Sequence, residues 1–450
     1  MFEKILIANR GEIAIRVMRT CRARGISPIA IYSEADEHAL HARLADAAYA
    51  CGPAPARDSY LCADRVVEIA QRAGAQAIHP GYGFLSENAD FADRCEAAGL
   101  RFIGPSGDVI RAMGDKVTAR RRMADAGVAV VPGTADPVSD ADAAHWAERI
   151  GYPLLVKASA GGGGKGMRRV DAPDQLAQAL QRVRGEARSA FGDDALYLER
   201  YIEQPRHVEI QFLADAHGNT LHLGERECSI QRRHQKLIEE APANRVSEAL
   251  RAEMGRAALM AARAVGYRGA GTCEFLVDAD DSFYFLEMNT RIQVEHAITE
   301  AVTGIDIVEA MIEIAAGRPL RIAQPDVSIR GHAIEARIYA ENPERGFLPS
   351  PGLISVYREP SGPGVRIDAG VEQGSRVTTH YDPLIAKLIA WGDDRAQAIE
   401  RLDGALAEFA IEGIATSIPF HRKALREPDF VSGRYTTDFV ANAMRAGRPG

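Results

Sequence analysis

Over its first hundred residues the chain alternates short apolar runs with amphipathic helical patterns, and this alternation narrows the possible folds more than any other feature. Residues 4–8 (KILIA), 28–32 (PIAIY), 76–79 (QAIH) and 101–103 (RFI) read as buried strands. Between them, 11–24 and 60–73 carry the i, i+3, i+4 spacing of helices with one buried face. Strands separated by helices pair in parallel, so this region predicts an α/β sheet. Such sheets place ligands outside the carboxyl ends of their strands. Here those ends are the loops Asn9-Arg10-Gly11-Glu12 and His79-Pro80-Gly81-Tyr82-Gly83.

Beyond this unit the pattern changes. A helix over about 114–126 leads to Val131-Pro132-Gly133, a hinge into a small α+β unit. That unit contains a helix (140–150), a strand (152–159), a glycine loop, a strand, a helix (173–190) and a strand (195–200), and reads as a mobile lid. Longer, antiparallel-looking strands begin near 202, followed by a helix at 248–266, a hairpin at 270–289 and a helix at 304–316. The tail, 326–450, mixes strands with a helix near 394–409. The expected divisions are 1–113, a linking helix 114–128, a lid 129–201, a body 202–330 and a C-terminal unit 331–450.

Composition excludes several classes. A chain of 450 residues suffices for about three domains and buries enough surface to fold without disulfides or a structural metal. Its six cysteines form no C-x-x-C pair, which leaves zinc ribbons and dithiol redox centres without support. The net charge of −8 weighs against a nucleic-acid partner. No apolar run reaches membrane-spanning length, and the start MFEKILIANRGEIAIR lacks a secretory h-region and carries Glu3 and Glu12 where a transit peptide is acid-poor. A cytoplasmic protein is expected, with no membrane contact.

Residues 154–170 read LLVKASAGGGGKGMRRV. Four consecutive glycines suit a chain that must approach something closely or adopt positive φ. Their N–H groups, with Lys157 and Lys165 alongside, can cradle polyphosphate. The spacing Gly161-x-Gly163-x-x-Gly166 mimics a dinucleotide fingerprint, but β-like MRRV follows where a helix is required. A P-loop needs Ser or Thr after its Gly-Lys, and Gly166 follows Lys165. These exclusions leave a strand–loop–strand flap over phosphates, or a flexible hairpin tip.

The runs 271–278 (GTCEFLVD) and 283–289 (FYFLEMN) predict a hairpin centred between Asp280 and Asp281. That register places Glu274 directly opposite Glu287, with Asn289 on the same face. Opposed Cβ atoms lie about 4.5–5.5 Å apart, where like charges repel. Two carboxylates and an amide oxygen suit Mg²⁺, which takes one or two carboxylates together with substrate phosphates. The competing reading is a solvent-facing strand with unrelated charges. Next comes Thr290-Arg291-Ile292-Gln293-Val294-Glu295-His296, in which alternation would align Arg291, Gln293 and Glu295. Upstream, 225–240 (ERECSIQRRHQKLIEE) is dense in basic residues, and 332–341 (HAIEARIYAE) puts Glu335 and Arg337 on one strand face. An Arg–Gln–Glu row beside a metal site suits the binding and deprotonation of a small anion.

The motifs NRGEIAIR (9–16), HPGYGFLSEN (79–88), GDK (114–116), KASAGGGGKGM (157–167), RHVEIQ (206–211), QRRHQK (231–236) and EMNTRIQVEH (287–296) resemble biotin carboxylase, a member of the ATP-grasp superfamily, from residue 1 to about 445. The resemblance implies an ATP-grasp fold of mixed α/β and α+β class: a Rossmann-like parallel-sheet domain, a glycine-rich lid and a mixed C-terminal domain. It also implies a site. Lys116, Lys157, Gly163 and Gly164 would contact ATP phosphates, Glu199 and Ile202 the adenine, and His207, Gln231 and His234 the remaining nucleotide. Glu274, Glu287 and Asn289 would bind Mg²⁺ or Mn²⁺, two ions in all with the nucleotide. Lys236, Arg291, Gln293 and Val294 would hold bicarbonate, Glu295 would deprotonate it, and Arg337 would stabilise enolate-like biotin.

The implied reaction forms carboxyphosphate from bicarbonate and ATP, then carboxylates biotin N1. The chain has no Met-Lys-Met biotinylation motif, so the resemblance implies a separate biotin carboxyl carrier protein, a carboxyltransferase and a homodimer. The segment 380–392 (HYDPLIAKLIAWG) leans toward an acyl-CoA carboxylase, such as that acting on acetyl-CoA. Three departures from the family pattern stand out: Ala297 where Pro often follows Glu-His, Arg200 where Lys is common, and Ala160 before the glycines. Another ATP-grasp ligase would share the glycine loop and the hairpin but not the row at 291–295 or Arg337. A silent subunit would have lost Glu295, Lys236 or the carboxylate pair.

Overall fold

A computed structural model describes residues 1–159 and 166–446. Gly163 and Gly164 lie outside the described residues, as does Ala160. The N-terminal sheet is parallel throughout its five strands, in the order β3-β2-β1-β4-β5. Its strands are β1 (Lys4–Ile7), β2 (Ser27–Ser33), β3 (Ala47–Gly52), β4 (Ala77–His79) and β5 (Arg101–Phe102). The unforeseen strand is β3, whose AAYACG has little apolar periodicity and pairs at the sheet edge. Helices Gly11–Ala23 and Ala63–Arg72 bury Ile13, Val17, Val66 and Ile69 in two clusters, on opposite faces of the sheet.

At the carboxyl ends of these strands the loop Asn9–Glu12 reaches the C-terminal unit. Arg10 pairs with Asp36 at 2.6 Å, and its guanidinium lies 4.4 Å from the Tyr381 ring centre. Tyr82 donates to Glu12, whose other oxygen lies 3.4 Å from Lys387 Nζ. The first of the two loops named in the sequence therefore contacts the C-terminal unit, and the second braces the first through Tyr82.

The helix expected at 114–126 is Lys116–Asp125, which the Asp115 side chain caps by accepting from Thr118 N at 2.7 Å, and the helix just before it, Gly107–Gly114, is unforeseen. The small unit that comes next is a three-stranded antiparallel sheet, β7-β6-β8, formed by β6 (Leu154–Ala158), β7 (Met167–Val170) and β8 (Leu196–Arg200). Helices Asp140–Ile150 and Pro173–Phe191 pack on it through Ala143, Ala147, Leu176, Leu180 and Val183. Residues 132–134 run beside β8: Arg200 N donates to Pro132 O and Thr134 N to Leu198 O. A Cβ on Gly133 would lie 2.3 Å from Leu198 O, so only glycine permits this approach.

The body is an eight-stranded antiparallel sheet in the order β13-β12-β9-β10-β11-β14-β16-β15. Its strands are β9 (Arg206–Ala214), β10 (Thr220–Arg232), β11 (Gln235–Ala241), β12 (Gly269–Val277), β13 (Phe283–Asn289), β14 (His332–Tyr339), β15 (Val365–Ala369) and β16 (Leu384–Gly392). Because β11 pairs with β14, one sheet continues across residue 330 into the C-terminal unit. Helix Glu248–Ala264 covers one part of the sheet and Arg395–Glu408 another. Every residue of β9 and of β14 is buried, their charged residues included.

Candidate active site

The site begins with the hairpin β12–β13. Glu274 and Glu287 are register partners, as the turn position predicts, yet the register is not uniform. From Phe275 toward the turn the pairing is shifted by one residue, and a bulge at Leu286 brings Glu287 opposite Glu274. Bulges re-aim side chains. Without this one, Glu287 would face away. Burial and then Glu274 push the Glu287 carboxyl above its ordinary range, with Lys116 acting in the opposite sense. Burial also opposes charge on Glu274, but Lys236 and His207 outweigh it and hold this carboxylate far below its usual range.

Lys236, on β11, occupies the centre. Its buried ammonium reaches Glu209 Oε2 at 2.6 Å, Glu295 Oε1 at 2.6 Å and Glu274 Oε1 at 3.0 Å. Burial disfavours its charge, but Cys228 and these three carboxylates hold its pKa well above the ordinary lysine value. Each carboxylate has a second basic neighbour. Arg226 Nε donates to Glu209 at 2.5 Å, Arg337 Nη2 to Glu295 at 3.0 Å, and His207 Nε2 lies 3.0 Å from Glu274, out of line for a hydrogen bond. Arg337 also donates through Nε to Glu239 at 2.6 Å. Burial would raise the Glu295 carboxyl, but Lys236, Arg337 and Arg226 together keep it well below its normal range.

Residues 290–295 are not the extended row the alternation predicts. They form a turn-rich connection, with Glu295 as the residue before helix His296–Thr303. Three side chains nevertheless converge. Arg291 donates to Asn289 Oδ1 at 2.8 Å and to Gln293 Oε1 at 3.1 Å, while Gln293 Nε2 donates to Glu274 at 3.1 Å. Arg291 Nε is held by Glu87, from the HPGYGFLSEN stretch, at 2.9 Å. Val294 enters through its backbone: its carbonyl accepts from Lys387 Nζ at 2.7 Å.

On the lid side, Lys157 on β6 donates to Glu199 Oε2 at 2.7 Å, and Arg120 donates to Glu199 Oε1 at 2.5 Å. Ile202 is buried just beyond β8. Arg233 and His234 form the two-residue turn joining β10 to β11, both with positive φ, which matches the strand twist but strains non-glycine residues. His234 is pushed below its ordinary pKa by burial and then by His207, Lys116 and Lys157. Lys116 is lowered likewise, by burial and by Lys157 among its neighbours. Gln231 Nε2 lies 3.4 Å from His207 Nδ1. Four basic groups repelling one another around one space form a receptor for a polyanion.

Comparison with known proteins agrees with this geometry. Residues 1–110 match the family "Biotin carboxylase, N-terminal domain", 115–323 "Carbamoyl-phosphate synthase L chain, ATP binding domain", and 335–442 "Biotin carboxylase C-terminal domain". Biotin carboxylase 1 of Bacillus subtilis is 52% identical over 442 residues, 98% of either chain. The chain belongs to the biotin carboxylase family. One pyruvate carboxylase subunit, from Methanothermobacter thermautotrophicus, is 56% identical, over 99% of this chain and 91% of its own. Among solved structures, the Campylobacter jejuni biotin carboxylase, in a complex named for ATP, superposes with a TM-score of 0.96 at 46% identity, covering 98% of this chain and 99% of that one. The biotin carboxylase domain dimer of Hydrogenobacter thermophilus 2-oxoglutarate carboxylase, with MgADP and bicarbonate, gives 0.95 at 46% identity over 100% and 99%.

Within this biotin carboxylase the structure adds residues that the sequence did not single out. Glu209, Arg226 and Glu239 complete the charge network, Glu87 anchors Arg291, Arg120 anchors Glu199, and Lys387 reaches the carbonyl of Val294. Two triads, His207–Glu209–Glu274 and Glu209–Cys228–Glu295, have ligand atoms close enough for a metal, but the Lys236 ammonium already bonds to a carboxylate in each. In the pair Glu274–Glu287, Glu274 shares the Lys236 contact, but Glu287 is left open to a cation. Glu287 has no donor among the described residues and its charge is opposed by Glu274, while Asn289 Oδ1 already accepts from Arg291. No helix among the described residues is long and apolar enough to cross a membrane.

Proposed function

We propose that this chain carries out the ATP- and bicarbonate-dependent carboxylation of biotin N1, presented on a separate biotin carboxyl carrier protein, as the first half-reaction of an acyl-CoA carboxylase. The observation that carries the reading is the clamp of Lys236 and Arg337 on Glu295, next to the opposed pair Glu274–Glu287. In this reading Lys116, Lys157, His207, Gln231 and His234, with Gly163 and Gly164, surround the phosphates and ribose, while Glu199 and Ile202 line the adenine. Glu274, Glu287 and Asn289 hold Mg²⁺ or Mn²⁺. A divalent cation there would neutralise charge on the transferred phosphoryl group.

Bicarbonate sits on Lys236, Arg291, Gln293 and the Val294 backbone. Its oxygen attacks the γ-phosphorus, the bond to ADP breaks, and the bicarbonate proton passes to Glu295. A carboxylate with so low a pKa is a weak base in the resting site. Two effects make it adequate. Bicarbonate competes for the cations that depress Glu295, and its own proton becomes more acidic as the new P–O bond forms. Carboxyphosphate then yields CO₂ and phosphate. The phosphate takes the N1 proton while Arg337 stabilises the enolate-like biotin, and N1 adds to CO₂. Closure of the lid 129–201 keeps water from the labile intermediate.

The relatives' names differ in final acceptor, among them pyruvate, propionyl-CoA and methylcrotonoyl-CoA. These relatives all match this chain over at least 97% of its length, which supports locating acceptor choice on a carboxyltransferase partner. A homodimer in the cytoplasm completes the proposal. The test is ADP release with ATP, Mg²⁺ and bicarbonate, with and without free biotin or biotinylated carrier. Turnover requiring bicarbonate and stimulated by biotin supports the reading. Turnover indifferent to either form of biotin moves the acceptor to an amine, as in other ATP-grasp ligases.

A further inference from the structure

Lys387 has no solvent exposure at all, an expensive placement for an ammonium unless something specific is gained. Its register partners are Arg337 on β14 and Asp368 on β15, so the three side chains share one face of the sheet. Charge neutralisation alone does not explain where its ammonium points. Nζ lies 4.0 Å from Asp368 Oδ2 and 3.4 Å from Glu12 Oε2, but only 2.7 Å from the carbonyl of Val294. Asp368 already has Arg366 at 2.7 Å and Arg19 at 3.0 Å. Glu335, on the same face with both oxygens unpartnered, is a further acid nearby that Lys387 does not bond.

The carbonyl matters because Glu295 is the next residue along the chain. Residues 291–295 lie between strand β13 and helix His296–Thr303, outside any ladder. Three of their carbonyls accept from side chains, Ile292 O from Arg291 at 3.2 Å, Gln293 O from His296 Nδ1 at 2.7 Å and Val294 O from Lys387, while Glu295 O accepts from Ile298 N. Fixing the Val294 carbonyl fixes the peptide plane that carries Glu295. On β14, Arg337 holds the carboxylate of the same residue. Glu12, the acid nearest Lys387, stands in the first turn of the N-terminal helix Gly11–Ala23 and accepts from Tyr82.

We propose that Lys387, steadied by Glu12, is a positioning residue that sets the Val294–Glu295 peptide and thereby the bicarbonate pocket. The inference rests on the assignment of 291–295 to bicarbonate and its base. The N-terminal unit thus acts on the chemistry without touching a substrate.

The experiment compares wild type, K387M and the double variant E12Q/K387M, measuring ADP release against bicarbonate concentration, MgADP affinity by calorimetry and the melting temperature. K387M keeps the length of the side chain and removes the donor, while E12Q removes the carboxylate that K387M leaves buried and unpaired. A misplacement of the base by about 1 Å is expected to lower kcat/KM for bicarbonate roughly 100-fold, with MgADP affinity unchanged. The double variant should regain melting temperature but not bicarbonate kinetics. Wild-type bicarbonate kinetics in either folded variant, or recovery of those kinetics by E12Q, would overturn the proposal. A wild-type enzyme with no bicarbonate-dependent turnover would instead overturn the functional reading, and this one with it.

Discussion

Replacing Glu295 by glutamine tests the proposed base most directly. The side chain is fully buried, with Lys236 on one oxygen and Arg337 on the other. Loss of a general base typically costs about 10²–10⁴ in rate, or roughly 3–5 kcal/mol of barrier at 1.36 kcal/mol per tenfold. Folding should suffer less. Breaking a buried pair costs about 3–5 kcal/mol when a charge is left bare. Here Lys236 keeps Glu209 and Glu274, and Arg337 keeps Glu239, so no cation is bare. The expected loss is nearer the 1–3 kcal/mol, roughly, of one imperfect buried hydrogen bond. Rate should therefore fall much further than stability, with MgADP affinity intact because Lys157, Glu199 and Ile202 do not touch Glu295. The pH profile sharpens the test. The profile of kcat/KM reports the free enzyme, and its Glu295 stays ionised well below the usual carboxylate range. Wild-type kcat/KM for bicarbonate should show no acid limb from this residue between pH 5 and 8. Turnover of E295Q within tenfold of wild type, or an acid limb in that range abolished by E295Q, would refute the assignment.

Three further variants have expected outcomes. E287Q removes a carboxylate that burial and Glu274 hold above its ordinary pKa, so ionising it costs stability as pH rises; the variant should melt higher than wild type at pH 8. The same change should raise the Mg²⁺ needed for half-maximal turnover by at least the roughly 10–100-fold typical of an outer-shell loss, and an unchanged Mg²⁺ requirement would remove Glu287 from the metal site. Glu227, buried and raised by burial from 4.5 to about 7, is protonated in the folded state while the unfolded chain is ionised, so stability drains between those values. E227Q should flatten that part of the stability–pH curve and gain up to about 3 kcal/mol at pH 8, read by urea denaturation. Ala297, buried early in helix His296–Thr303, donates no backbone hydrogen bond among the described residues. A297P should stabilise by about 0.4–1 kcal/mol while keeping turnover, and a lower melting temperature would show that the ring does not fit.

The legible parts of the sequence had local causes. The N-terminal strands and helices followed from periodicity, and β3 escaped because an edge strand of alanines carries none. The opposition of Glu274 and Glu287 came out correctly, although the turn lies half a residue from the assumed centre and the bulge at Leu286 makes up the difference. Arg291, Gln293 and Glu295 were grouped by an alternation that does not exist. Arg291 and Gln293 meet because a turn, pinned by side chains, brings them together, while Glu295 joins them through Lys236 and Glu274, and no period of two or 3.6 encodes that.

The charge network escaped for a different reason. In β9, RHVEIQFLA, the charged residues break an apolar pattern and would ordinarily be assigned to solvent, yet all nine residues are buried. An acid inside an apolar run does carry information, since it demands a cation. Of the cations that answer these acids, Arg337 and Lys387 stand between apolar neighbours, whereas Arg226 lies between Glu225 and Glu227 and Lys236 follows Gln235. Which cation meets which acid depends on strand order. Glu209 reaches Arg226 because β9 pairs with β10, and Glu239 reaches Arg337 because β11 pairs with β14 across about a hundred residues of intervening chain. Fold and site are therefore one problem here. Until the eight-stranded sheet is assembled, the acids that would destabilise it and the cations that stabilise them are unrelated letters, and only the assembled order turns Glu295 from a buried liability into a candidate base.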